Sequence, residues 1–482
     1  MSYSIEGKNS KWEVVVGLEV HCQLKTKSKL FSRSSAEFGA EPNSHVSFFD
    51  CAMPGQLPIA NRFAVEQAIK TGIALNAEFN LLSIFDRKNY FYADLPHGYQ
   101  ITQFFLPIIK SGWVEIEDEA RKRIRIREAH LEQDAGKLIH DQSPLHSLLD
   151  LNRAGIPLLE IVSEPDMRSP GEAMEYLRKL RMLLRSIETC DGNMDEGSMR
   201  CDANVSVRIV GDEVYGTRCE IKNVNSIRSV GLAIEHEARR QVELIEGGGT
   251  VHQETRRFEA ESGTTRTMRS KEDVVDYRYF PEPDLAPLSI SRELLEEIGR
   301  TMPELPGARR LRYSRDYSLA EYDAKILSGT REMSEYFEKL VSSHDPKLAA
   351  SWLTTELMGR LNKLALAIEQ SPVGAEAFSE LLGLIEDGTI SGKIAKDVLD
   401  IMLETGKTAR AIVDERGLRQ IGNASEISNL ISQVLAENPK QLEQYRSGNE
   451  KIFGFFVGQL MKLSGGRVNP QMANDLLREK LK

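Results

Sequence analysis

The clearest signal along the chain is a period of two. From Val14 to His21 it places Glu19 and His21 on one face of a predicted strand, with Leu18 and Val20 on the other. Between Ile124 and Asp134 it gathers Glu128, His130, Glu132 and Asp134 on one face. Between Arg200 and Ile209, Arg200, Asp202, Asn204, Ser206 and Arg208 oppose Cys201, Ala203, Val205, Val207 and Ile209. Thr217 to Val224 reads as a hairpin partner of that strand, with Arg218, Glu220 and Lys222 on one face and Asn223 beside them. Each strand has one apolar and one polar side, the pattern of antiparallel sheet packed on a core.

Helical spacing marks other stretches. Ser169-Pro170-Gly171-Glu172 reads as a capping box with proline in the first turn, after which Ala173, Tyr176, Leu177, Leu180, Leu184 and Ile187 keep to one face. A second helix, from about Val230 to Glu246, stops at Gly247, Gly248 and Gly249. From about residue 291 the pattern is almost wholly helical, segment 404–421 reads as a connector, and Ser425 to Leu435 starts a further helical stretch. The expected class is α+β: an antiparallel-sheet domain over 1–290, an all-α helical domain over 291–407, and a small α-helical tail domain over 408–482.

Several domains also suit a chain of 482 residues. With 41% hydrophobic and 28% charged residues, and no apolar run near the roughly 18 residues of a membrane span, a transmembrane reading is excluded. The amino terminus has neither a signal-peptide nor a transit-peptide pattern, so a cytoplasmic location is expected. Cys22, Cys51, Cys190, Cys201 and Cys219 stand apart without C-x-x-C spacing and are expected as free thiols. The net charge of −10 limits nucleic-acid contact to local patches. One such patch is the tail from Lys451, where six basic residues face two acidic ones and Lys462, Arg467 and Asn469 flank a Gly465-Gly466 turn. A solvated helical surface explains that bias equally well.

The polar strand faces carry the candidate chemistry. Glu19 with His21 could hold Mg²⁺ or Mn²⁺, or simply share a surface hydrogen bond. Four titratable groups on the Glu128–Asp134 face repel one another unless a cation or ligand joins them. Asp86 to Tyr92 mixes Arg87 and Lys88 with aromatic rings, suiting a phosphate or an RNA end, or else rings packed under a loop. Glu261 to Lys271, rich in hydroxyls and cations, reads as an anion-binding or merely exposed loop. There is no G-x-x-x-x-G-K-[ST] loop, no G-x-G-x-x-G and no G-x-S-x-G. ATP chemistry would therefore need a metal on scattered carboxylates and imidazole, with phosphates cradled by cations such as Arg87, Lys88, Arg200 and Arg208.

The segments VGLEVHCQLKTKSKLFS, FGAEPN, PGQLP, DRKNYFYADLPHGYQITQ, REAHLEQDAGK, DLNRAGIPLLEIVSEPD, DGNMDEGSMRCDANVSVR, EIKNVNS and YRYFPEPDL occur in an order that resembles the B subunits of tRNA-dependent amidotransferases, over roughly residues 12–290. The ending GFFVGQLMKLSGGRVNPQMANDLL resembles that family's small tRNA-binding domain, called YqeY-like.

The resemblance implies a cradle-shaped catalytic domain, a helical domain and a tail that holds tRNA. It further implies a heterotrimer with a glutamine-hydrolysing amidase A subunit and a small C subunit. ATP and Mg²⁺ would convert the side-chain carboxylate of Glu-tRNA(Gln) or Asp-tRNA(Asn) to an acyl phosphate, which ammonia attacks; this is a carbon–nitrogen ligase. Glu19, His21 and Glu132 match the metal positions, and Lys88 falls near the reacting end. Asp202, Asn204, Glu220, Lys222 and Asn223 follow as lining residues with catalytic roles.

The chain also departs from that pattern. Ser32, Ser34, Ser47 and Asp50 stand where some members carry zinc-binding cysteines, so zinc is not expected. Gln133 replaces a second carboxylate after Glu132, leaving the metal shell there to Glu132. Ala93 and His97 stand where proline and lysine are common. Two other readings compete: a non-catalytic tRNA-binding scaffold, and a free-standing metal-dependent ligase that dispenses with tRNA.

Overall fold

The computed structural model describes residues 3–117, 121–143, 145–269, 276–421 and 423–481. Two compact units emerge, Met1–Leu305 and Pro306–Lys482. The first is built on a large sheet and the second on helices. The coarse α+β expectation therefore matches the structure.

Strand Lys11–Gln23 is the axis of the first unit. Pro157–Ser163 pairs with one side of it and Met199–Ile209 with the other, both antiparallel. Beyond Pro157–Ser163 the sheet continues through Lys122–Gln133 and Ile109–Ile116 to Glu78–Phe79. Beyond Met199–Ile209 come Cys219–Val224, Thr255–Glu259 and Thr264–Arg269. The predicted hairpin partner of Met199–Ile209 is in place, with Asn204 opposite Glu220. One pair, Cys219–Val224 with Thr255–Glu259, runs parallel, a connection that the period of two does not encode. The loop expected at 261–271 is instead strand Thr264–Arg269 over most of its length, hydrogen-bonded to Thr255–Glu259; Ser270 and Lys271 lie outside the described residues.

Apolar positions of these strands face one core, where Val14, Val16, Leu18, Val20, Ile126, Leu131, Ile161 and Val205 are buried. Helices Pro170–Ser186 and Ile227–Glu246 join it through Tyr176, Leu177, Leu180, Ala233, Ile234 and Ala238. The two helices approach closely at Gly231, where a Cβ would come within 2.6 Å of Met174 Sδ. The capping box is half made. Ser169 Oγ accepts from Glu172 N at 3.0 Å, but the Glu172 carboxylate accepts from Arg168 N and the Lys122 ammonium, each at 2.7 Å. Of the glycine triplet after the second helix, Gly248 alone takes the left-handed conformation, with φ +81°.

Loops beside the sheet are fastened by a buried ion pair. Lys29 Nζ lies 3.2 Å from Asp50 Oδ2 and donates to Leu151 O at 3.1 Å. The same carboxylate oxygen accepts from Ser47 N at 2.8 Å and Ser32 Oγ at 3.2 Å. Three hydroxyls, one carboxylate and an adjacent ammonium do not fit zinc, which takes thiolate or imidazole donors in closed structural sites. The five cysteines are free, and all but Cys51 are buried.

The second unit holds two apolar clusters. One runs from Tyr313 to Val413 and the other from Ile427 to Leu481. Segment 404–421, read above as a connector, contains helix Ala409–Glu415, whose Ala409, Ile412 and Val413 belong to the first cluster. Its three apolar residues fill one helical face, a signal too short for the sequence pattern to separate from a linker. Among the described residues no helix is long and apolar enough to cross a membrane.

Candidate functional site

Strand register assembles the site. Arg200, His21, Glu160 and His130 are Cα partners in one row across four neighbouring strands. Glu132 follows two residues after His130 on the same face. His21 Nε2 lies 3.4 Å from Glu132 Oε1 and 3.5 Å from Glu160 Oε2, and His130 Nε2 lies 2.9 Å from the same Glu160 oxygen. Ligand atoms of His21, Glu132 and Glu160 lie within 4.8 Å of one another. One imidazole and two carboxylates at this separation suit a divalent cation such as Mg²⁺ or Mn²⁺.

Burial and the neighbouring charges pull the groups of this cluster in opposite directions. Burial disfavours charge on His21, yet Glu160 and then Glu132 push its pKa up to about 9. His130 is raised in the same way, against burial and chiefly by Glu160. Burial also opposes ionisation of Glu160, but the two imidazoles hold its carboxyl well below the usual range. Glu132 is raised by burial and then by Glu160, and Glu19 likewise. The carboxylates thus favour protonated imidazoles, and a metal held by His21 would displace its proton.

This cluster borders a cavity of about 440 Å³ lined by His21, Lys88, Tyr90, Glu132, Asp134, Arg200, Asp202, Lys222, Asn223 and Asn225, among others. Lys222 Nζ bridges Asp202 at 2.6 Å and Glu220 at 2.7 Å; burial works against its charge, and those two carboxylates raise its pKa. Arg200 donates to Asp134 at 2.9 Å, while its buried Nε has no partner among the described residues. Lys88 Nζ sits 5.0 Å from the centre of the Tyr277 ring.

The structure brings His21, Lys88, Glu132, Arg200, Asp202, Lys222 and Asn223 to this cavity, and leaves other candidates outside its lining. Glu19, two residues before His21 on the same strand face, accepts from Asn204 Nδ2 at 2.9 Å. Glu220 stands behind Lys222 and also accepts from Thr255 Oγ1. Arg87 forks onto the buried Glu282 at 2.6 and 2.8 Å and stacks over Tyr99, and Arg208 pairs with Glu13 at the far end of its strand. Gln133 is not among the cavity residues, so its replacement of a carboxylate removes nothing there. His97 packs its ring against Phe49 and Tyr99.

Sequence reasoning missed Glu160, the third member of the candidate cation group. The signal was a lone carboxylate in the otherwise apolar strand Pro157–Ser163, which burial would exclude without partners. In the second unit, Asn469 caps helix Pro470–Leu481 by accepting from Gln471 N and Met472 N. Arg467 is held by the carbonyls of Ser464 and Gly417, whereas Lys462 is exposed in the last turn of helix Phe453–Leu463.

Comparison with known proteins adds to this geometry. Residues 14–296 match a family model described as the GatB/GatE catalytic domain, and residues 335–481 match one described as the GatB domain. The chain is 56% identical, over 483 aligned residues and all of both chains, to a Rickettsia africae protein named as the B subunit of aspartyl/glutamyl-tRNA(Asn/Gln) amidotransferase. A protein of the same name from Rickettsia bellii is 55% identical over the full length of both chains. One from Wolbachia pipientis wMel is 54% identical over 98% of each.

Proposed function

The chain belongs to the GatB family of amidotransferase B subunits, and from that premise we propose that its sheet-borne cavity activates the side-chain carboxylate of Glu-tRNA(Gln) or Asp-tRNA(Asn) for amidation. The protein is one component of a tRNA-dependent amidotransferase, a glutamine-dependent carbon–nitrogen ligase. An amidase A subunit supplies ammonia and a small C subunit completes the complex. Catalysis resides in residues 1–290, followed by a helical domain over 291–407. The tail, whose own apolar cluster begins at Ile427, holds tRNA, with Lys462 as a displayed cation. The assembly works in the cytoplasm.

The observation that carries this reading is the His21–Glu132–Glu160 cluster beside a cavity rich in cations. A binding scaffold gives no reason to gather a buried and a half-buried carboxylate against two imidazoles. A divalent ion held by His21, Glu132 and Glu160 would neutralise phosphate charge and polarise a phosphoryl oxygen. Lys88, Arg200 and Lys222, which line the cavity, would bind the phosphates of ATP, and the Nε–H of Arg200, without a partner among the described residues, would offer a donor. Asp202 and Glu220 fix the Lys222 ammonium in one position. The γ-phosphoryl group passes to the substrate carboxylate; ammonia then forms the C–N bond, inorganic phosphate leaves, and a carboxylate of the site takes the released proton.

The test is ATP turnover and amide formation on both misacylated tRNAs, with the chain assembled with its partner subunits. Wild type should turn over ATP only with tRNA present, and Glu160→Ala and His21→Ala should abolish it. Turnover that ignores tRNA, or fully active variants, would refute the reading.

A further inference from the structure

Strand Asp86–Asn89 pairs with Tyr99–Thr102 on one side and Phe280–Pro281 on the other, closing a small three-stranded sheet. The closure brings two aromatic segments distant in sequence to one edge of the cavity: Asn89 N and its side-chain amide both donate to Tyr277 O. From Tyr90, which lines the cavity, a run of rings follows in contact. Tyr90 meets Tyr277 at 5.9 Å and Tyr277 meets Tyr279 at 6.0 Å, both edge to face. Tyr279 stacks on Phe104 at 3.9 Å and 8°, and Phe104 meets Phe105 at 5.2 Å.

The far end of this run is open. Phe104 and Phe105 are 53% and 52% exposed. Phe91, 88% exposed, rests by the backbone of Gly98, where a Cβ would come within 3.0 Å of its ring and where φ is +73°. Lys88 lies among the rings nearest the cavity, and among the described residues no carboxylate comes within ion-pair reach of it. A shelf of π-faces with an uncommitted cation at its inner end complements a chain of unpaired nucleotides, whose bases stack and whose phosphates seek charge.

We infer that this aromatic shelf stacks the unpaired bases at the 3′ end of the tRNA, leading the aminoacylated terminus past Lys88 to the His21–Glu132–Glu160 cluster. The inference rests on tRNA being the substrate, as proposed above. Phe104 and Phe105 are then base-stacking residues, with no part in the chemical step. A single adenine, that of ATP, is too small to use a run of this length.

The experiment uses the enzyme assembled with its partner subunits and measures binding of intact tRNA and of tRNA shortened by its unpaired 3′ nucleotides. Phe104→Leu and Phe105→Leu should each weaken binding of intact tRNA by about 5- to 100-fold, the range for loss of one stacked base. Phe104→Trp should bind like wild type, because it keeps a π-face. On shortened tRNA all of these proteins should bind alike, and the KM for ATP should stay unchanged throughout. Leucine variants that bind intact tRNA as tightly as wild type would overturn the inference. So would a loss that persists on shortened tRNA, or one that falls on the KM for ATP. A wild-type complex indifferent to tRNA would instead overturn the proposed function, and this inference with it.

Discussion

The sheet unit buries two groups of charges, and they are balanced in opposite ways. Lys29 and Asp50 pair with each other inside the protein: the ammonium meets a carboxylate and a carbonyl, and Asp50 Oδ2 also accepts from a backbone N–H and a hydroxyl, while Oδ1 has no partner among the described residues. Burial still lowers the Lys29 pKa despite Asp50, so the pair does not fully offset its desolvation. The other group, His21, His130, Glu132 and Glu160, is balanced only by protonating its imidazoles. The first group fastens loops. The second lines the candidate site, where protons on the imidazoles or, on the proposed reading, a bound cation would balance the carboxylates.

Removing one charge from each group breaks the comparison most sharply. Lys29→Met leaves an uncompensated buried carboxylate and should cost about 3–5 kcal/mol in the unfolding of the sheet unit, measured by denaturant titration. Adding Asp50→Asn, which keeps an acceptor for Ser47 N, should recover most of that loss. Glu132→Gln should do the reverse. It removes a carboxylate that burial and Glu160 already disfavour, leaving stability of the metal-free protein unchanged or raised, while kcat/KM for amidation falls at least about 100-fold.

A pH titration sharpens the contrast. The pKa of His21 rises from 6.5 to about 9 on folding, so its protonated form stabilises the metal-free chain. That contribution is full below pH 6.5 and disappears as pH climbs through about 9. Unfolding of the metal-free protein between about pH 6.5 and 9.5 should show this decline. Affinity for Mn²⁺, followed by calorimetry, should rise over the same interval as imidazole protons are released. The smallest effect is expected at Arg208. Its pair with Glu13 lies outside the cavity lining, so Arg208→Gln should cost no more than about 1 kcal/mol and leave kcat/KM unchanged.

Much of the site was readable from local pattern. The period of two correctly grouped His130 with Glu132, and Arg200 with Asp202, because side-chain alternation is a property of each strand alone. Arg87 and Arg208 looked equivalent to Lys88 and Arg200 by residue type. Their carboxylate partners, Glu282 and Glu13, lie 195 residues away in each case, and no local rule places them. Glu160 stayed hidden because its own strand is otherwise apolar and offers no polar face to read, while its two imidazole partners lie on other strands.

By itself, the sequence determined the alternation that sorts each strand into an apolar and a polar face, the helices with their serine caps, and the motif order that marks the family. Tertiary structure alone decided which strands are neighbours and in what register. That choice set His21 opposite Glu160, brought Tyr277 beside Lys88, and enclosed Lys29 with Asp50. The reason is physical: face and cap are settled by a few adjacent residues, whereas register is settled by packing the whole apolar face at once, and a slip of one residue would turn the cluster into the core.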